Sequence, residues 1–301
     1  MLVSTENFET VLQEILSQKI IGADTETTGL RAYHGDQIFS LIITTEKSDF
    51  YFNFNEYPGV EPLPSSCIGE LARVFCSPEI QKVFHNAKFD LSMLKNSGID
   101  VRGPIFDLWT LDRLHDNQHF SYELDKVAKR WGREKDDAVT KYIKANKLSK
   151  WVEIPHLNKK FQEKYYSQVP LEIMRPYAEN DARITYDLSK LILGIIEERD
   201  QTAPANWPKL MQVVQNESRL TETLFRMEQR GVLIDINYCE EARIFYENLA
   251  ITSTQEFKRL TGLDFVKGET VFAEVFKDES LKYTEKGNPI FDKKAMKGFK
   301  H

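Results

Sequence analysis

Five short runs of strand length fall before residue 108 of this 301-residue chain, and that crowding constrains the fold to one built on a sheet. KIIGADTE has an apolar start and a carboxylate-bearing end, and QIFSLIITT and DFYFNF follow it. In DFYFNF, Phe50, Phe52 and Phe54 alternate with Tyr51 and Asn53, the period-2 pattern of a strand. QKVFHN and GPIFD are two further short strands. Helices are predicted between them. Phe8, Val11, Leu12, Ile15 and Leu16 trace one helical face near the N-terminus. ELARVFCS follows the turn-rich EYPGVEPLPSS as a short helix, and AKFDLSMLKNSG reads as a helix stopped by Gly98.

Beyond that point helices dominate. LWTLDRLHD and YELDKVAKRWG carry helical patterns, and a long helix is expected to begin near Pro176, whose missing N–H is harmless in a first turn. Tyr177, Asp181, Ile184, Leu188, Leu191 and Ile195 would share one face of it. The fold class is therefore α/β, a mixed sheet flanked by helices, followed by a smaller helical segment. QTAPANWPK, with two prolines, places a domain boundary after residue 200, giving domains 1–200 and 201–301. The second domain holds ESRLTETLFRMEQRG and a helix from about residue 237 to 260, stopping at Gly262; from Asp264 onward patterning is weak.

Length allows about two domains. The 41% hydrophobic and 29% charged content is ordinary for a globular chain. No apolar run reaches the length of a membrane span, and the acidic N-terminus is unlike a secretory signal. Cys67, Cys76 and Cys239 are odd in number and lack metal-type spacing, which favours a reducing intracellular compartment and disfavours zinc. His115 and His119 have ligand spacing but no partner, so an ordinary solvated pair is expected. The net charge of -6 disfavours indiscriminate nucleic-acid binding. Residues 126–164 nevertheless carry 12 Lys/Arg against 5 Asp/Glu, which suits either a solvated helical face or a phosphate-contacting surface.

The chemistry lies in four carboxylates and a tyrosine. Asp24 and Glu26 are i and i+2 on a strand and project to the same side near its C-terminal end. Tyr177 and Asp181 are i and i+4 on a helix, and Asp90 lies near the start of another. A fold that gathers these elements sets four anions side by side, which repel unless cations neutralise them. Hard oxygen ligands select Mg²⁺ or Mn²⁺ over zinc. Two such ions roughly 3.5–4 Å apart can activate water and stabilise the leaving oxygen of a phosphodiester. Tyr177, with an ordinary pKa of about 10, suits orienting that water rather than deprotonating it. Asp107 and Asp187 are set aside. Asp107 precedes a helix and reads as a cap, and Asp187 falls off the face that Tyr177 and Asp181 share.

DTETTGL, HNAKFD and YAENDARITYDL, in that order, resemble the three motifs of the 3′–5′ proofreading exonuclease domain of family A, DNA polymerase I-like enzymes, in the tyrosine-bearing DEDD variant. The resemblance covers about residues 15–197 and implies an RNase H-like fold and metal-dependent release of 3′-terminal nucleotides. It assigns catalysis to Asp24, Glu26, Asp90, Tyr177 and Asp181. Asp24 would bridge two divalent cations, Glu26 and Asp181 would complete one site, and Asp90 would hold the second through water. Thr25, Leu30, Asn86 and Phe89 fall at substrate-binding positions, Leu30 against the terminal base and Asn86 near the backbone. A single-stranded or frayed 3′ end of DNA is the implied substrate.

LFRMEQRGVLID, residues 224–235, resembles the join between exonuclease and polymerase in family A, and the following stretch resembles a first thumb helix. The chain stops at His301 before any polymerase motif, so it should not polymerise alone. It would be either a fragment of a longer polymerase or a separately encoded exonuclease subunit, with a polymerase domain or subunit as partner. Two other readings stay open: an RNase D-like RNA exonuclease, which shares the five residues without this join, and a catalytically silent nucleic-acid-binding or polymerase-docking module.

Overall fold

A computed structural model describes residues 1–154 and 159–265, excluding the side chains of Ile154 and Lys159. Its centre is a six-stranded mixed sheet of β1 (Leu2–Val3), β2 (Ile20–Thr27), β3 (Ile38–Thr44), β4 (Asp49–Asn53), β5 (Gln81–Phe84) and β6 (Ile105–Asp107), in the order β1-β4-β3-β2-β5-β6. β2, β3 and β4 form an antiparallel meander, whereas β5 runs parallel to β2 and β6 parallel to β5. β2 is thus central, with pairing on both sides.

Both faces of the sheet are covered. Ile21, Ala23, Leu41, Ile43, Phe50 and Phe52 pack on α1 (Phe8–Leu16), α2 (Ser66–Cys76) and α3 (Ala87–Asn96). The other face carries Phe39, Ile42 and Tyr51, then Val83 and Phe106. It packs on α4 (Leu108–His115), α5 (Leu124–Arg130), α6 (Ala138–Ala145) and α7 (Leu171–Thr202). The alternation in β4 therefore sorts side chains between two buried layers, not between core and water: Phe50, Tyr51, Phe52 and Asn53 are all buried.

Several boundaries differ from expectation. α2 begins four residues before ELARVFCS, because Cys67 joins Leu71, Val74 and Phe75 on its buried stripe. α7 begins at Leu171, so Pro176 sits inside the helix. Pro170 precedes its first turn, and its carbonyl accepts from Met174 N at 2.9 Å. The buried stripe of α7 runs Ile184, Leu188, Ile192, Ile196, in steps of four; Leu191 is exposed and Ile195 only partly buried. The segment between α5 and α7, expected to be helical or loop, contains a hairpin of β7 (Ser149–Ile154) and β8 (Lys159–Lys164). Gly98 does end α3, with φ +92°.

The compact unit extends through α8 (Leu210–Arg230) to Gly231, past the division expected after residue 200. α8 is amphipathic and has a place to bury its stripe: Val214 and Phe225 are buried against the body of the sheet and its helices. Ser218 bonds the Ile105 carbonyl, and Lys88 pairs with Glu228 at 2.5 Å. The second unit, Val232–His301, is described as far as Phe265. It contains α9 (Ile236–Thr261), capped by the Asp235 carboxylate on Tyr238 N (3.0 Å) and ended by left-handed Gly262. The residues after Asp264 whose patterning was weak lie almost wholly outside the described residues. No described helix is long and apolar enough to cross a membrane.

Gly22 sets how closely α7 approaches β2. A Cβ there would lie 2.8 Å from Tyr186 Cβ and 3.2 Å from the Ala182 carbonyl oxygen. Neither atom is at the free end of a flexible chain, so Gly22→Ala must push helix and strand apart. The expected cost is about 1–3 kcal/mol, read as a lower melting temperature. Asp24 and Asp181 sit on these two elements, so the spacing of these two acids should widen as well.

Candidate active site

β2 delivers its carboxylates in a simple way. Gly22, Asp24 and Glu26 point to the α7 face, while Thr25 points to the α3 face. The ladder with β3 shifts register between Glu26 and Thr27, a bulge that ends regular pairing beside the site. The chain then turns tightly. Thr27 Oγ1 donates to the Gly29 carbonyl at 2.7 Å, and a Cβ on Gly29 would fall 2.4 Å from the Asp36 carboxylate. This turn presents Leu30, 67% exposed, at the rim.

Asp90 arrives from the opposite side of the strand. Its Oδ1 accepts from Thr25 Oγ1 at 2.7 Å and from Thr25 N at 3.1 Å, which ties α3 to the end of β2. The start of α3 is fixed by Asn86, left-handed at φ +64°, a conformation asparagine tolerates. Asp107 accepts from Asn86 N, Ala87 N and Trp109 N, so one carboxylate caps both α3 and α4. The cap expected at Asp107 is present and does double duty.

α7 supplies Tyr177 and Asp181 on successive turns, both buried. Asp24, Glu26, Tyr177 and Asp181 line one pocket of about 380 Å³ with Thr25, Leu30 and Phe89. Asn86 does not line it; it borders a neighbouring groove with Lys88, Trp109 and Arg113. Asp187 stays apart, 3.4 Å from both Arg133 and Arg183. His119 lies beyond the end of α4 and pairs with Asp116 at 3.2 Å, so it is not a helical partner of His115.

The cluster is electrostatically costly. Burial, then the neighbouring Asp181, lifts the Asp24 carboxyl to about 7. Burial and the charges of Asp24 and Asp181 push Glu26 well above the carboxylate range, and burial with Asp24 does the same to Asp90. Asp181 is raised to about 6, mainly by burial and against the pull of Lys135. Burial and the charge of Asp181 raise the Tyr177 phenol far above its ordinary value, so it is neutral at any working pH.

Sequence reasoning missed Lys135. Its Nζ stands 2.7 Å from Asp181 Oδ2 and 5.2 Å from the centroid of the Tyr177 ring. Burial works to lower its pKa, yet Asp181, Asp24 and Glu26 together raise it. The basic count over residues 126–164 held this lysine without distinguishing it. Much of that stretch is paired within the fold, as in Lys126–Asp125, Lys141–Asp137 and Lys150–Glu163. The pocket wall from β8 (Phe161, Gln162, Glu163, Lys164) was missed with the hairpin itself.

Among the described residues, no three His, Cys, Asp or Glu side chains converge closely enough to hold a metal ion as they stand. The donor set nonetheless fits hard divalent cations: all four acids offer oxygen, and Asp181 Oδ1 is buried with no hydrogen-bond partner. Carboxylates raised by burial and mutual repulsion lack positive charge, and Lys135 supplies only one unit of it.

A mixed sheet with acids at the end of its central strand, met by helices from both faces, defines the RNase H-like exonuclease class. Within it, this chain belongs to the 3′–5′ exonuclease family of family A DNA polymerases, whose family model matches residues 2–197. It is 26% identical over 305 residues to the DNA polymerase DpoZ of Vibrio phage phiVC8, covering 91% of this chain and 44% of that protein. Similarity to the DNA polymerase I of Chloroflexus aurantiacus is 27% over 230 residues, 75% of this chain and 22% of the relative. For the DNA polymerase of Escherichia phage T5 it is 29% over 216 residues, covering 62% and 22%. The chain thus spans less than half the length of these relatives.

Among solved structures, the POL domain of Pol1 from M. smegmatis, in complex with DNA primer-template and dNTP, superposes with a TM-score of 0.66 at 16% identity. That match covers 98% of this chain and 44% of the other. A structure described as the apo form of the nuclease gives 0.53 at 15% identity, over 78% and 94%. Both show the fold.

Proposed function

We propose that this chain hydrolyses the 3′-terminal phosphodiester of single-stranded or frayed DNA, as the proofreading part of a family A polymerase, with two divalent cations, Mg²⁺ or Mn²⁺. The gathering of Asp24, Glu26, Asp90 and Asp181 at the end of β2 carries this reading. In it Asp24, Glu26 and Asp181 face the pocket as cation ligands, and Asp90 serves the second cation from the Thr25 side. The cations, when bound, supply the acidity that makes water a nucleophile near neutral pH. Tyr177, a neutral hydroxyl, orients the water and the terminal phosphate. Leu30 and Phe89 pack against the terminal base, Thr25 lies beside the phosphate, and Asn86 guides the strand from the adjoining groove. The part after residue 200 is read as the join to a polymerase and the start of its thumb; its polymerase partner would deliver the mispaired 3′ end.

The test is release of mononucleotides from 3′- and 5′-labelled single-stranded DNA and the matched RNA, with Mg²⁺, with Mn²⁺ and with EDTA. Loss from the 3′ end of DNA, abolished by EDTA, is expected. Activity that persists in EDTA, or that starts at the 5′ end, overturns the reading; a strong preference for RNA moves it to an RNA exonuclease.

Tyr177→Phe should slow the reaction by about 10–100-fold, since an orienting hydroxyl contributes less than a cation ligand. Its kcat against pH should keep its shape, because the phenol does not titrate in the working range. A loss as large as that of Asp24→Ala would assign the tyrosine a greater role.

A further inference from the structure

The geometry points to Lys135 as the built-in counter-ion of the carboxylate cluster: a positioning residue that holds Asp181 when no divalent cation is bound and competes with the cation for it. The inference rests on reading the cluster as a cation site, and adds what the free protein puts there instead. Lys135 lies in the short stretch between α5 and α6, off the three elements that carry the acids. Its side chain is only 26% exposed, and that of Asp181 6%. A lysine seldom buries its ammonium without a partner, and here Asp181 Oδ2 is that partner at 2.7 Å. The Tyr177 ring, 5.2 Å away, is a second weak attraction.

The other pocket cations are placed differently. Arg31 reaches out to Glu163 at 3.9 Å and lies over Phe161, and Lys164 has no ion pair with the carboxylates among the described residues. Lys135 is therefore the cation that answers the cluster directly. One ammonium cannot satisfy it: Asp181 Oδ1 remains buried without a partner.

A divalent cation held by this cluster would take an Asp181 oxygen as a direct ligand. An ammonium bonded to the same carboxylate would then face a doubly charged ion a few ångströms away, in a poorly screened setting. Cation entry must loosen the Lys135–Asp181 bond, and the four-carbon stem lets the ammonium swing within the pocket. Two consequences have opposite signs. Lys135 stabilises the cation-free fold and weakens cation binding.

The experiment compares wild type, Lys135→Met and Lys135→Arg at pH 8. Melting temperature is measured in EDTA, and Mn²⁺ affinity by calorimetric titration; neither readout needs catalysis. Lys135→Met should melt several degrees lower in EDTA and bind Mn²⁺ at least about fivefold tighter, each tenfold in affinity being 1.4 kcal/mol. Lys135→Arg, whose fixed charge and forked donors grip a carboxylate more firmly, should keep the EDTA melting temperature and bind Mn²⁺ more weakly than wild type. Equal Mn²⁺ affinities across the three proteins, or weaker binding by Lys135→Met, overturn the counter-ion role alone. No Mn²⁺ binding by any of them overturns the cation site, and this inference with it.

Discussion

Replacing Asp24 and Glu26 together by alanine is expected to cut release of 3′-terminal nucleotides by at least about 10³-fold, some 4 kcal/mol of transition-state stabilisation. The same protein should melt in EDTA no lower than wild type. The first result follows if Asp24 and Glu26 hold the cations that generate the nucleophile. The second follows from electrostatics. Both groups are held in a pocket where burial and neighbouring acids oppose their ionised forms. Without cations they destabilise the fold near neutral pH, and removing them relieves Asp181 and Asp90. The packing cost is small, because both side chains line the pocket and truncating them only enlarges it. Thr25 still anchors α3 through Asp90. A melting temperature several degrees below wild type in EDTA would mean that the two acids are structural. Activity within tenfold of wild type would place the catalytic centre elsewhere.

That these two acids could be placed side by side from sequence has a local cause. Two residues at i and i+2 of a strand share a side whatever the rest of the fold does, and i and i+4 on a helix share a face. Those relations placed Asp24 with Glu26, and Tyr177 with Asp181. The central strand was legible for a similar reason, since an apolar run such as IIGA must be buried on both faces. What escaped was non-local. Lys135 acquires its meaning from a contact with Asp181, 46 positions away in sequence and on another element. Its neighbours in the chain are charged, so nothing nearby marks it. The β7–β8 hairpin escaped because its sequence, SKWVEI and KKFQEK, is mostly polar and only weakly alternating. The reach of the first compact unit to Gly231 has another reason. Two prolines and a tryptophan near residue 205 look like a linker, but the helix after them finds an apolar seat through Val214 and Phe225. A linker composition does not say whether the next helix packs back.

With cations removed by EDTA, the melting temperature should rise as pH falls from about 8 to about 5.5. Asp24, with an ordinary value of 3.8, titrates at about 7 in the folded chain, and Asp181 at about 6. Glu26 and Asp90 are also raised. A carboxyl whose pKa is higher folded than unfolded holds its proton more tightly when folded. Its contribution to stability is fully present below the unfolded value and is lost as pH rises through the folded one. The window therefore opens near pH 8, where the cluster is most charged, and closes near pH 5. Below that, ordinary acids with lowered values, such as Asp100, begin to lose their own stabilisation. His85, whose pKa is lowered by burial, works in the opposite direction as pH falls but is one group against four. The acids share much of the same repulsion, so their shifts cannot be summed; a net gain on the order of a few kcal/mol is expected. That corresponds to several degrees in melting temperature for a domain of this size. Saturating Mn²⁺ should reverse the slope, because cations bind the ionised cluster and proton competition weakens them as pH falls. Glu26→Gln should flatten the EDTA profile by removing one of the repelling charges. An EDTA profile that is flat in wild type, or that falls steadily from pH 8 to 5.5, would show that the four acids do not share a buried, cation-deficient site.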